Sequence, residues 1–600
     1  MNSTSYDEAS LREIEEEALE REFDRLTVEA ESTAFAFASV HMRTERRQFL
    51  DFGEREYLIP ILRDDRPNHT CVACAQSGKT MTYKAKVWWR LLFPQGTKAR
   101  TAIYTFPTQG DVEEFSAARA KAMIEASPLL SEQIADIDKV SLKQFKNGST
   151  IYYRGTFTQR AAISVPADIL CHDELDKSQP DTLQMYSDRL RASDDPRTYL
   201  FSTPTIPHYG ISAAWERSDQ SEWFFDCGRC GQRQCFAPMS REHSWREHLD
   251  LERGEFLCMF CHEPLSRENI QAGEWEAQQP ESEVAGYHIT SIMPPESTGK
   301  RLAEEHEKAK FEELWTQGHI GVPEISGKDE ITGEAVIFGD WVNTLKSEGR
   351  NFAGLDQGKK LDLVVGDGQG KIIGVHRFDD WAQVHSAMRT LNIRMLVADS
   401  QPDSRPVQAL VKAFPGRVLL ADYSLRTVDK EPYEKVAKEP RVRIHRTTAL
   451  DWTRDQILMG GDGGDVWPAM SLQEETDLKA HLTASVRQLV EDKHGQLSAD
   501  WVETGPDHLR HSHTYYTVAA AIAGGRSMWQ SRLRPKQPKA KPGDVPLPPE
   551  AVQAAEVVPP AQSYHAAKRE RAQVMDVDAV TGEPIETRRR RRRRMRPLGM

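Results

Sequence analysis

The run CVACAQSGKTMTYKA, residues 71–85, is the most informative stretch for the fold of the first half of the chain. It joins a short apolar stretch to a helix-compatible one through a loop. In such a strand–loop–helix unit, backbone N–H groups and the helix N-terminus face an anion, and a lysine and a hydroxyl reach the phosphates and Mg²⁺. We therefore predict an ATP and Mg²⁺ site, although Ala73 replaces the first glycine of the usual pattern. The residues expected to bind are Gln76, Ser77, Gly78, Lys79 and Thr80.

Two further runs supply polar groups at the ends of apolar stretches. Residues 167–174 end in Asp173 and Glu174, about 95 residues after the loop. We predict that Asp173 binds Mg²⁺ and that Glu174 polarises the attacking water. The alternative is an acidic pair in an ordinary turn. Residues 201–205, FSTPT, end in hydroxyls that can sense a terminal phosphate.

Four of the eight cysteines form two CxxC pairs within one short segment. The pairs are Cys227 with Cys230, and Cys258 with Cys261. Each pair can present two thiolates to one tetrahedral ion, and four thiolates make a closed structural Zn²⁺ site. We predict that zinc stabilises a small insertion, with a direct grip on DNA as the alternative role.

Carboxylates recur at three places in the second half of the chain. Asp356 lies in the run 351–359, Asp399 ends the apolar run 395–399, and Asp507 precedes an apolar stretch that reads as a helix. A single aspartate at a strand end is more often structural. Three that meet at adjacent sheet ends can hold the two Mg²⁺ or Mn²⁺ ions needed for phosphodiester cleavage. We therefore predict that these residues are metal ligands and catalytic groups.

Composition sets limits on location and partners. The formal net charge is −13, but the charge is uneven, with an acidic stretch at residues 7–25 and seven consecutive arginines at 588–594. The acidic N-terminus has no apolar signal core, and the apolar run 518–523 is far too short to span a membrane. We expect a protein that does not enter membranes, with a basic tail that binds DNA phosphates or an acidic protein surface.

The pattern of apolar runs predicts an α/β protein of several segments. Strands expected at 70–73, 102–105, 169–172 and 199–202 alternate with helical stretches, which favours a parallel sheet. The predicted segments are an acidic helical segment at 1–44, an ATPase domain at 45–310 with a zinc-binding insertion at about 226–265, a connector at 311–350, a second α/β domain at 351–525, and a disordered basic tail at 526–600.

The order and spacing of these motifs resemble the large terminase subunit of tailed phages. The resemblance rests on the QSGKT loop (76–80), the CHDELD run (171–176) and FSTPT (201–205), and it extends over roughly residues 45–525. The later run AGYHITSIMPP (285–295) is similar to the lambda-type subfamily. Residues 351–359 resemble the first strand of an RNase H-like nuclease.

This resemblance implies a fold and a function. The fold is a P-loop ATPase domain of the ASCE type with a zinc-ribbon-like insertion, followed by an RNase H-like α/β nuclease domain and disordered tails. The function is ATP-driven translocation of double-stranded DNA into a procapsid, with Mg²⁺- or Mn²⁺-dependent endonucleolytic cutting of concatemers. The implied partners are DNA, the small terminase subunit and the capsid portal. The implied setting is the host bacterial cytoplasm, where a homo-oligomeric ring assembles transiently on the portal and does not become a permanent part of the virion.

Two other interpretations share some of these motifs. A zinc-containing, helicase-like DNA translocase without nuclease activity would need a second helicase core after residue 300, and the sequence shows none. A non-enzymatic zinc-ribbon DNA-binding scaffold would be expected to have lost Lys79 or Glu174, and both are present. The arginine that completes the ATPase site is not evident; Arg154 and Arg160 lie between the two ATPase motifs.

Overall fold

The computed structural model describes residues 20–94, 98–158, 162, 165–240, 245–325, 331–428, 431–461, 463–491 and 497–524. The start of the predicted N-terminal helix and the whole basic tail, 526–600, lie outside these residues. Residues 20–29 are helical, in agreement with the charged pattern there. In the part of the chain that the structure describes, no helix combines the length and the apolar character that a membrane crossing requires.

The first half of the chain contains thirteen described strands. They are β1 (Asn68–Ala73), β2 (Thr101–Phe106), β3 (Ile134–Lys139), β4 (Leu142–Phe145), β5 (Thr150–Gly155), β6 (Ile169–Asp173), β7 (Arg197–Ser202), β8 (Ser221–Asp226), β9 (Arg233–Cys235), β10 (Leu249–Asp250), β11 (Glu255–Phe256), β12 (Glu274–Ala277) and β13 (Ala285–Ile289).

The α-helices of this half separate the strands. They are α1 (Ala34–His41), α2 (Leu58–Arg63), α3 (Lys79–Leu92), α4 (Gln109–Glu114), α5 (Lys121–Ala126), α6 (Pro128–Gln133), α7 (Pro180–Ser187), α8 (Gly210–Trp215), α9 (Arg267–Gln271), α10 (Gly299–Lys308) and α11 (Glu312–Trp315). Two π-helical turns, Phe115–Ala120 and Thr316–Ile320, follow α4 and α11.

Most of these strands form one large mixed sheet. Its order is β12-β8-β13-β1-β7-β6-β2-β5-β4-β3, with β9 pairing to β8. The central strands from β13 to β5 are all parallel, which confirms the predicted α/β alternation. Their residues are almost entirely buried, as expected for a parallel sheet covered on both faces.

Helix α3 is held to the centre of this sheet by aromatic packing. Tyr83 of α3 stacks on Phe201 of β7 with ring centroids 4.6 Å apart, and both side chains are buried. Burial of a side chain such as Phe201 contributes roughly 1.5–3 kcal/mol. The packing therefore fixes the start of α3 relative to the end of β7.

The second half of the chain folds around a separate, smaller sheet. Its strands are β14 (Phe338–Val342), β15 (Asn351–Gln357), β16 (Leu361–Gly366), β17 (Ile372–Phe378), β18 (Ile393–Asp399), β19 (Val418–Asp422), β20 (Tyr433–Lys435), β21 (Arg441–Ile444), β22 (Trp467–Ala469), β23 (Ser485–Glu491) and β24 (Leu497–Glu503). Its helices are α12 (Trp381–Thr390), α13 (Ser404–Ala413), α14 (Arg446–Met459), α15 (Leu472–Thr483) and α16 (His508–Ile522).

Seven of these strands form the smaller sheet, in the order β17-β16-β15-β18-β19-β21-β20. Strand β15 is antiparallel to β16 and parallel to β18. Helix α16 crosses β15 at close range because Gly354 has no side chain. A Cβ at this position would lie 2.0 Å from the backbone of Ser512 and Tyr516. The start of α16 is thereby brought over the ends of β15 and β16.

Candidate functional site

The loop between β1 and α3 has the backbone geometry of a tight anion-binding turn. Gln76 and Gly78 both have positive φ angles, of 57° and 89°. A Cβ at Gly78 would come within 2.8 Å of Leu58, so glycine is required there on two grounds. The Tyr57 hydroxyl donates a hydrogen bond of 2.9 Å to the carbonyl oxygen of Ser77. The loop therefore leads rigidly into the N-terminus of α3 at Lys79.

The carboxyl ends of three adjacent strands bring the predicted polar groups together. In the sheet β7 lies between β1 and β6, so the loop, FSTPT and the acidic pair share one edge. The Thr80 hydroxyl lies 3.1 Å from Asp173 Oδ2, and Lys79 Nζ lies 3.1 Å from Thr203 Oγ1. Lys79 Nζ is also 3.8 Å from Glu174 Oε1. These distances join three motifs that are far apart in the sequence.

The environment of Asp173 disfavours its charge. Burial is the main cause and the neighbouring charge of Glu174 the second, and together they raise the pKa of Asp173 to about 7. The hydroxyls of Thr80 and Tyr104 both donate to its Oδ2, which partly offsets this effect. A buried carboxylate of this kind gains from a divalent cation, which supplies the missing counter-charge.

This raised pKa makes protein stability depend on pH. Because the folded state holds the Asp173 proton up to about pH 7, stability falls as pH rises from about 4 to 7. We expect Asp173→Asn to raise the Tm by a few degrees at pH 8, without nucleotide or divalent cation, and by much less at pH 5. Thermal melts of wild type, Asp173→Asn and the surface control Asp181→Asn would test this. An equal shift at both pH values would contradict it.

A cleft of about 870 Å³ opens above this edge of the sheet. Besides the loop, Glu174 and Thr203, its walls include Arg119, Gln317 and Gly318. The carbonyl oxygen of Gly318 accepts a hydrogen bond from the N–H of Ala75 in the loop. The predicted connector, residues 311–350, therefore begins with residues that line the cleft.

Arg119 is a cationic residue of the cleft that the sequence did not reveal. It is exposed and lies on the π-helical turn Phe115–Ala120, whose Phe115 ring stacks at 5.3 Å on Tyr104. Turns of this type often occur at functional sites. Arg154, suggested from the sequence, instead lies over the ring of Tyr152 and is not among the lining residues, and Arg160 is outside the described residues.

Asp176 connects the acidic run to the hydroxyl run. Its Oδ2 accepts hydrogen bonds from the backbone N–H and the hydroxyl of Thr205, at 2.9 and 2.8 Å, and its Oδ1 accepts one from Ile211. Gly210 has φ +52°, and a Cβ there would lie 2.3 Å from Asp176. These hydrogen bonds tie Asp176, two residues after Glu174, to the loop that follows Thr203. They therefore fix the position of that loop relative to Glu174.

The four predicted cysteines meet in space, and we call them the thiol cluster. Cys227 Sγ lies 3.9 Å from Cys261 Sγ, and Cys230 Sγ lies 3.7 Å from Cys258 Sγ. All four sulfur atoms are within 4.8 Å of one another. A tetrahedral Zn²⁺ with Zn–S near ~2.3 Å requires S–S separations of about 3.8 Å. The donor set and its spacing therefore fit zinc, and Cys235 lies outside the cluster.

Polar contacts within the insertion favour a thiolate at Cys258. Burial opposes this charge, but backbone N–H groups of Cys261 and Phe260 and the side-chain amide of Gln234 lower the pKa of the Cys258 thiol. The Gln234 amide nitrogen lies 3.3 Å from its sulfur. Such outer contacts orient metal-binding thiolates.

The carboxylates of the smaller sheet lie side by side. Asp356 on β15 is paired in register with Asp362 on β16, and on the other side Leu355 pairs with Ala398, so that Asp399 lies beside Asp356. We call these three aspartates the carboxylate row. The sequence predicted two of its members and missed Asp362.

The start of α16 covers this row with Asp507 and two histidines. His508 Nδ1 lies 2.9 Å from Asp356 Oδ2, and His511 Nε2 lies 3.2 Å from Asp507 Oδ2. Asp507 Oδ2 also accepts a hydrogen bond from the hydroxyl of Ser485 at the start of β23. The structure thus places Asp507 at the N-cap of α16, at the start of the predicted helix.

The predicted acidic triad is less compact than the thiol cluster. Among the described residues, the four thiols of this cluster have ligand atoms that all lie within 4.8 Å of one another. No group of three or more histidine or acidic side chains in the described part of the chain is as compact. Burial, and then the charge of Asp356, raise the pKa of Asp399 to about 6. Burial also acts to raise the pKa of Asp507, but the contacts with His511 and Ser485 outweigh it and lower this pKa to about 2. The contacts with His511 and Ser485 therefore favour the ionised form of Asp507, while the neighbouring charge of Asp356 disfavours that of Asp399.

One protein family matches the sequence of this chain. Residues 63–275 match the family described as phage terminase large subunit gpA, ATPase domain. This region contains the loop, the acidic pair, FSTPT and the thiol cluster. No curated protein matches the chain.

Several solved structures are similar to the fold. The large terminase of bacteriophage HK97 has 12% identity and a TM-score of 0.47, over 82% of this chain and 98% of that one. The large terminase of a thermophilic bacteriophage, solved in complex with ATP-γ-S, has 11% identity and a TM-score of 0.29, over 78% and 98%. The large terminase nuclease of thermophilic phage G20c has 11% identity and a TM-score of 0.21, over 31% and 95%. All three TM-scores are below 0.5.

Proposed function

We propose that this chain is a DNA-packaging motor with its own nuclease, because residues 63–275 match the family described as phage terminase large subunit gpA, ATPase domain. The motor hydrolyses ATP at the cleft of the large sheet and translocates double-stranded DNA into a procapsid. The nuclease cuts concatemeric DNA at the carboxylate row of the smaller sheet. The observation that carries the proposal is the convergence of Lys79, Thr80, Asp173, Glu174 and Thr203 at one sheet edge.

Each residue of the cleft has a task in ATP hydrolysis. The loop N–H groups and Lys79 bind the phosphates at the N-terminus of α3. Thr80 and Asp173 would hold Mg²⁺, which neutralises the charge that develops on the phosphates. Glu174 orients and polarises the attacking water, and Thr203, in contact with Lys79, responds to loss of the terminal phosphate. The single strand between β1 and β6 supports the proposal of an ASCE-type ATPase fold.

The smaller sheet supports an RNase H-like nuclease. Asp356, Asp399 and Asp507 come from two adjacent strands and a helix that crosses them, and they would hold Mg²⁺ or Mn²⁺. Bound cations would activate water and stabilise the leaving oxygen of a phosphodiester. The carboxylates position the reacting groups, and His508 orients Asp356 through their 2.9 Å hydrogen bond.

The thiol cluster is proposed as a structural zinc site that stabilises a zinc-ribbon-like insertion. Four thiolates leave no open coordination position, and strands of two or three residues bury too little apolar surface to order the insertion alone. We expect one zinc per chain. Cys258→Ser should lose most of it and lower the Tm by several degrees.

Zinc content by elemental analysis, together with thermal melts, would test this site. Cys235→Ser is the matched control, because that thiol lies outside the cluster. Equal zinc content in both variants would argue against the site. ATP turnover should change little in Cys235→Ser.

The proposed setting follows the terminase family. The partners are DNA, the small terminase subunit and the portal, and the motor works as a homo-oligomeric ring in the host bacterial cytoplasm. The leading alternative is a zinc-containing translocase without nuclease activity. The carboxylate row and its histidines favour the nuclease, because a pure translocase has no need of them.

The deciding experiment uses the purified full-length chain with plasmid DNA. ATP turnover that DNA stimulates, together with Mn²⁺-dependent cleavage of the plasmid, would support both activities. Turnover without cleavage would favour the translocase. Cleavage without turnover would leave only the nuclease, and absence of both would overturn the proposal.

A further inference from the structure

The insertion that carries the thiol cluster contacts the wall of the ATP cleft through a buried tryptophan. Trp245 lies on a short 3₁₀ turn and is 3% exposed. Its ring centroid lies 5.2 Å from that of Trp315, the last residue of α11, and the ring planes are inclined by 56°. Trp315 leads directly into the π-helical turn Thr316–Ile320. An aromatic pair of this kind contributes more than the burial of its apolar area alone.

This π-helical turn lines the cleft and holds the phosphate-binding loop. Gln317 and Gly318 are lining residues, and the Gly318 carbonyl oxygen accepts a 2.8 Å hydrogen bond from the N–H of Ala75. The side-chain amide of Gln317 donates a 2.8 Å hydrogen bond to the carbonyl oxygen of Glu324. The N–H of Glu324 in turn donates to the carbonyl oxygen of Thr205. A shift of the turn would therefore disturb both the loop and the FSTPT run.

Backbone hydrogen bonds connect Trp245 to the thiol cluster. The N–H of His248 donates to the carbonyl oxygen of Trp245 at 3.0 Å, and the N–H of Leu257 donates to the carbonyl oxygen of His248 at 2.7 Å. Leu257 immediately precedes Cys258. The paired strands here, β10 and β11, have two residues each, so a metal bound by the thiols would supply much of their order. The position of Trp245 therefore depends on the thiol cluster.

Arg246 supports the same contact from the solvent side. Its guanidinium lies 4.3 Å from the centre of the Trp245 ring, and it forms an ion pair with Glu312 at the start of α11. The side chains of Arg246 and Glu312 are 46% and 52% exposed, so their ion pair contributes little by itself. The buried contact between the two rings is therefore the stronger link.

We propose that the insertion positions the wall of the ATP cleft, with Trp245 as the positioning residue. Among the described residues that line the cleft Trp245 is not included, so it acts through Trp315 and the turn at Gly318. This inference rests on the proposed ATP hydrolysis and gives the insertion a part in it. Lys79 and Glu174 belong to other elements, so loss of the contact weakens ATP binding and leaves the chemical step unchanged.

A variant of the full-length chain that removes the ring contact tests this role. Trp245→Leu should raise the KM for ATP about three- to tenfold and leave kcat within about twofold, as expected when ground state and transition state lose the same binding. Trp245→Phe keeps an aromatic ring against Trp315 and should restore most of the affinity. The matched control is Phe256→Leu, which removes a ring of the same insertion that packs on Phe236. Its KM should equal that of wild type.

Two further measurements do not depend on turnover. Elemental analysis should find the wild-type zinc content in Trp245→Leu, which shows that the thiol cluster is intact. Amide hydrogen exchange in residues 312–321 should be faster in Trp245→Leu than in wild type or Phe256→Leu, because the segment has lost its support. Wild-type exchange rates in Trp245→Leu would overturn the positioning role.

The thiol cluster should affect the cleft through the same contact. Cys258→Ser should raise the KM for ATP as Trp245→Leu does, and the double variant should raise it no further, since the two changes remove one interaction. A KM in the double variant that equals the product of the two separate effects would contradict the route through Trp245.

The outcomes also separate this inference from the proposed function. If wild type hydrolyses ATP and Trp245→Leu has a wild-type KM, the inference fails and the ATPase proposal stands. An equal rise of KM in Trp245→Leu and Phe256→Leu would assign the effect to the stability of the insertion and would also overturn the inference. If wild type neither binds nor hydrolyses ATP, both proposals fail.

Discussion

Glu174→Gln should lower ATP turnover by about 10²–10⁴-fold while nucleotide affinity stays within a few-fold of wild type. Glu174 follows β6 in a left-handed backbone conformation, φ +53°, that directs its carboxylate into the cleft. Glutamine keeps the size and the polar contacts but cannot polarise water as a base does. Steady-state ATP turnover and binding of a fluorescent ATP analogue would measure the two effects separately.

The control for this variant is Glu125→Gln, which removes an exposed carboxylate that pairs with Lys121 on the same helix. Its turnover should match wild type. Wild-type turnover in Glu174→Gln would show that another group activates the water, and Asp173 would be the first to examine. A parallel loss of binding and turnover would instead assign Glu174 to nucleotide binding.

Asp356→Asn should reduce Mn²⁺-dependent plasmid cleavage at least about 100-fold and leave ATP turnover unchanged. Loss of a residue that only supports a metal ligand costs 10–100-fold, so loss of a direct ligand should cost more. Asp356 is the central member of the carboxylate row, and it contacts His508 as well. It belongs to a different sheet from the ATP cleft, so the two activities should separate.

Asp379→Asn is the matched control, since it removes an exposed carboxylate that follows β17 of the same sheet. Its cleavage rate should equal that of wild type. Equal cleavage by Asp356→Asn would rule out the carboxylate row as the catalytic centre. Loss of cleavage in both variants would indicate that these substitutions disturb the smaller sheet as a whole, and would not identify Asp356 as a catalytic group.

Motifs that are local in sequence could be predicted well. The unit from β1 to α3 is a continuous stretch, and its glycine, lysine and hydroxyl follow one another, so the pattern predicts the geometry. It could also be predicted that the strand ends at Asp173 and Thr203 meet at one edge of the sheet, because the carboxyl ends of parallel strands share one edge. The CxxC pairs predicted the thiol cluster for the same reason, since each pair occupies one tight turn.

Groups whose positions depend on strand register, helix irregularities or contacts between segments could not be predicted. Asp362 looks like a charge within an apolar strand until β16 is paired with β15, which places it opposite Asp356. Arg119 lines the cleft from a π-helical turn, a local irregularity that the sequence pattern does not reveal. Asp176 reads as part of the acidic run, and its contacts to Thr205 and Ile211 depend on how β6 and β7 lie together.

The class of fold, the loop between β1 and α3, the four clustered cysteines and two members of the carboxylate row could thus be read from the sequence alone. The tertiary structure was needed to show which of these groups face one another: the wall of the cleft at Gly318, the contact of His508 with Asp356, and the carboxylate row beneath α16. The physical reason is that backbone propensity and apolar periodicity act over a few residues. Strand register and helix–sheet contact are set by packing between segments more than a hundred residues apart, such as Gly354 beneath Ser512.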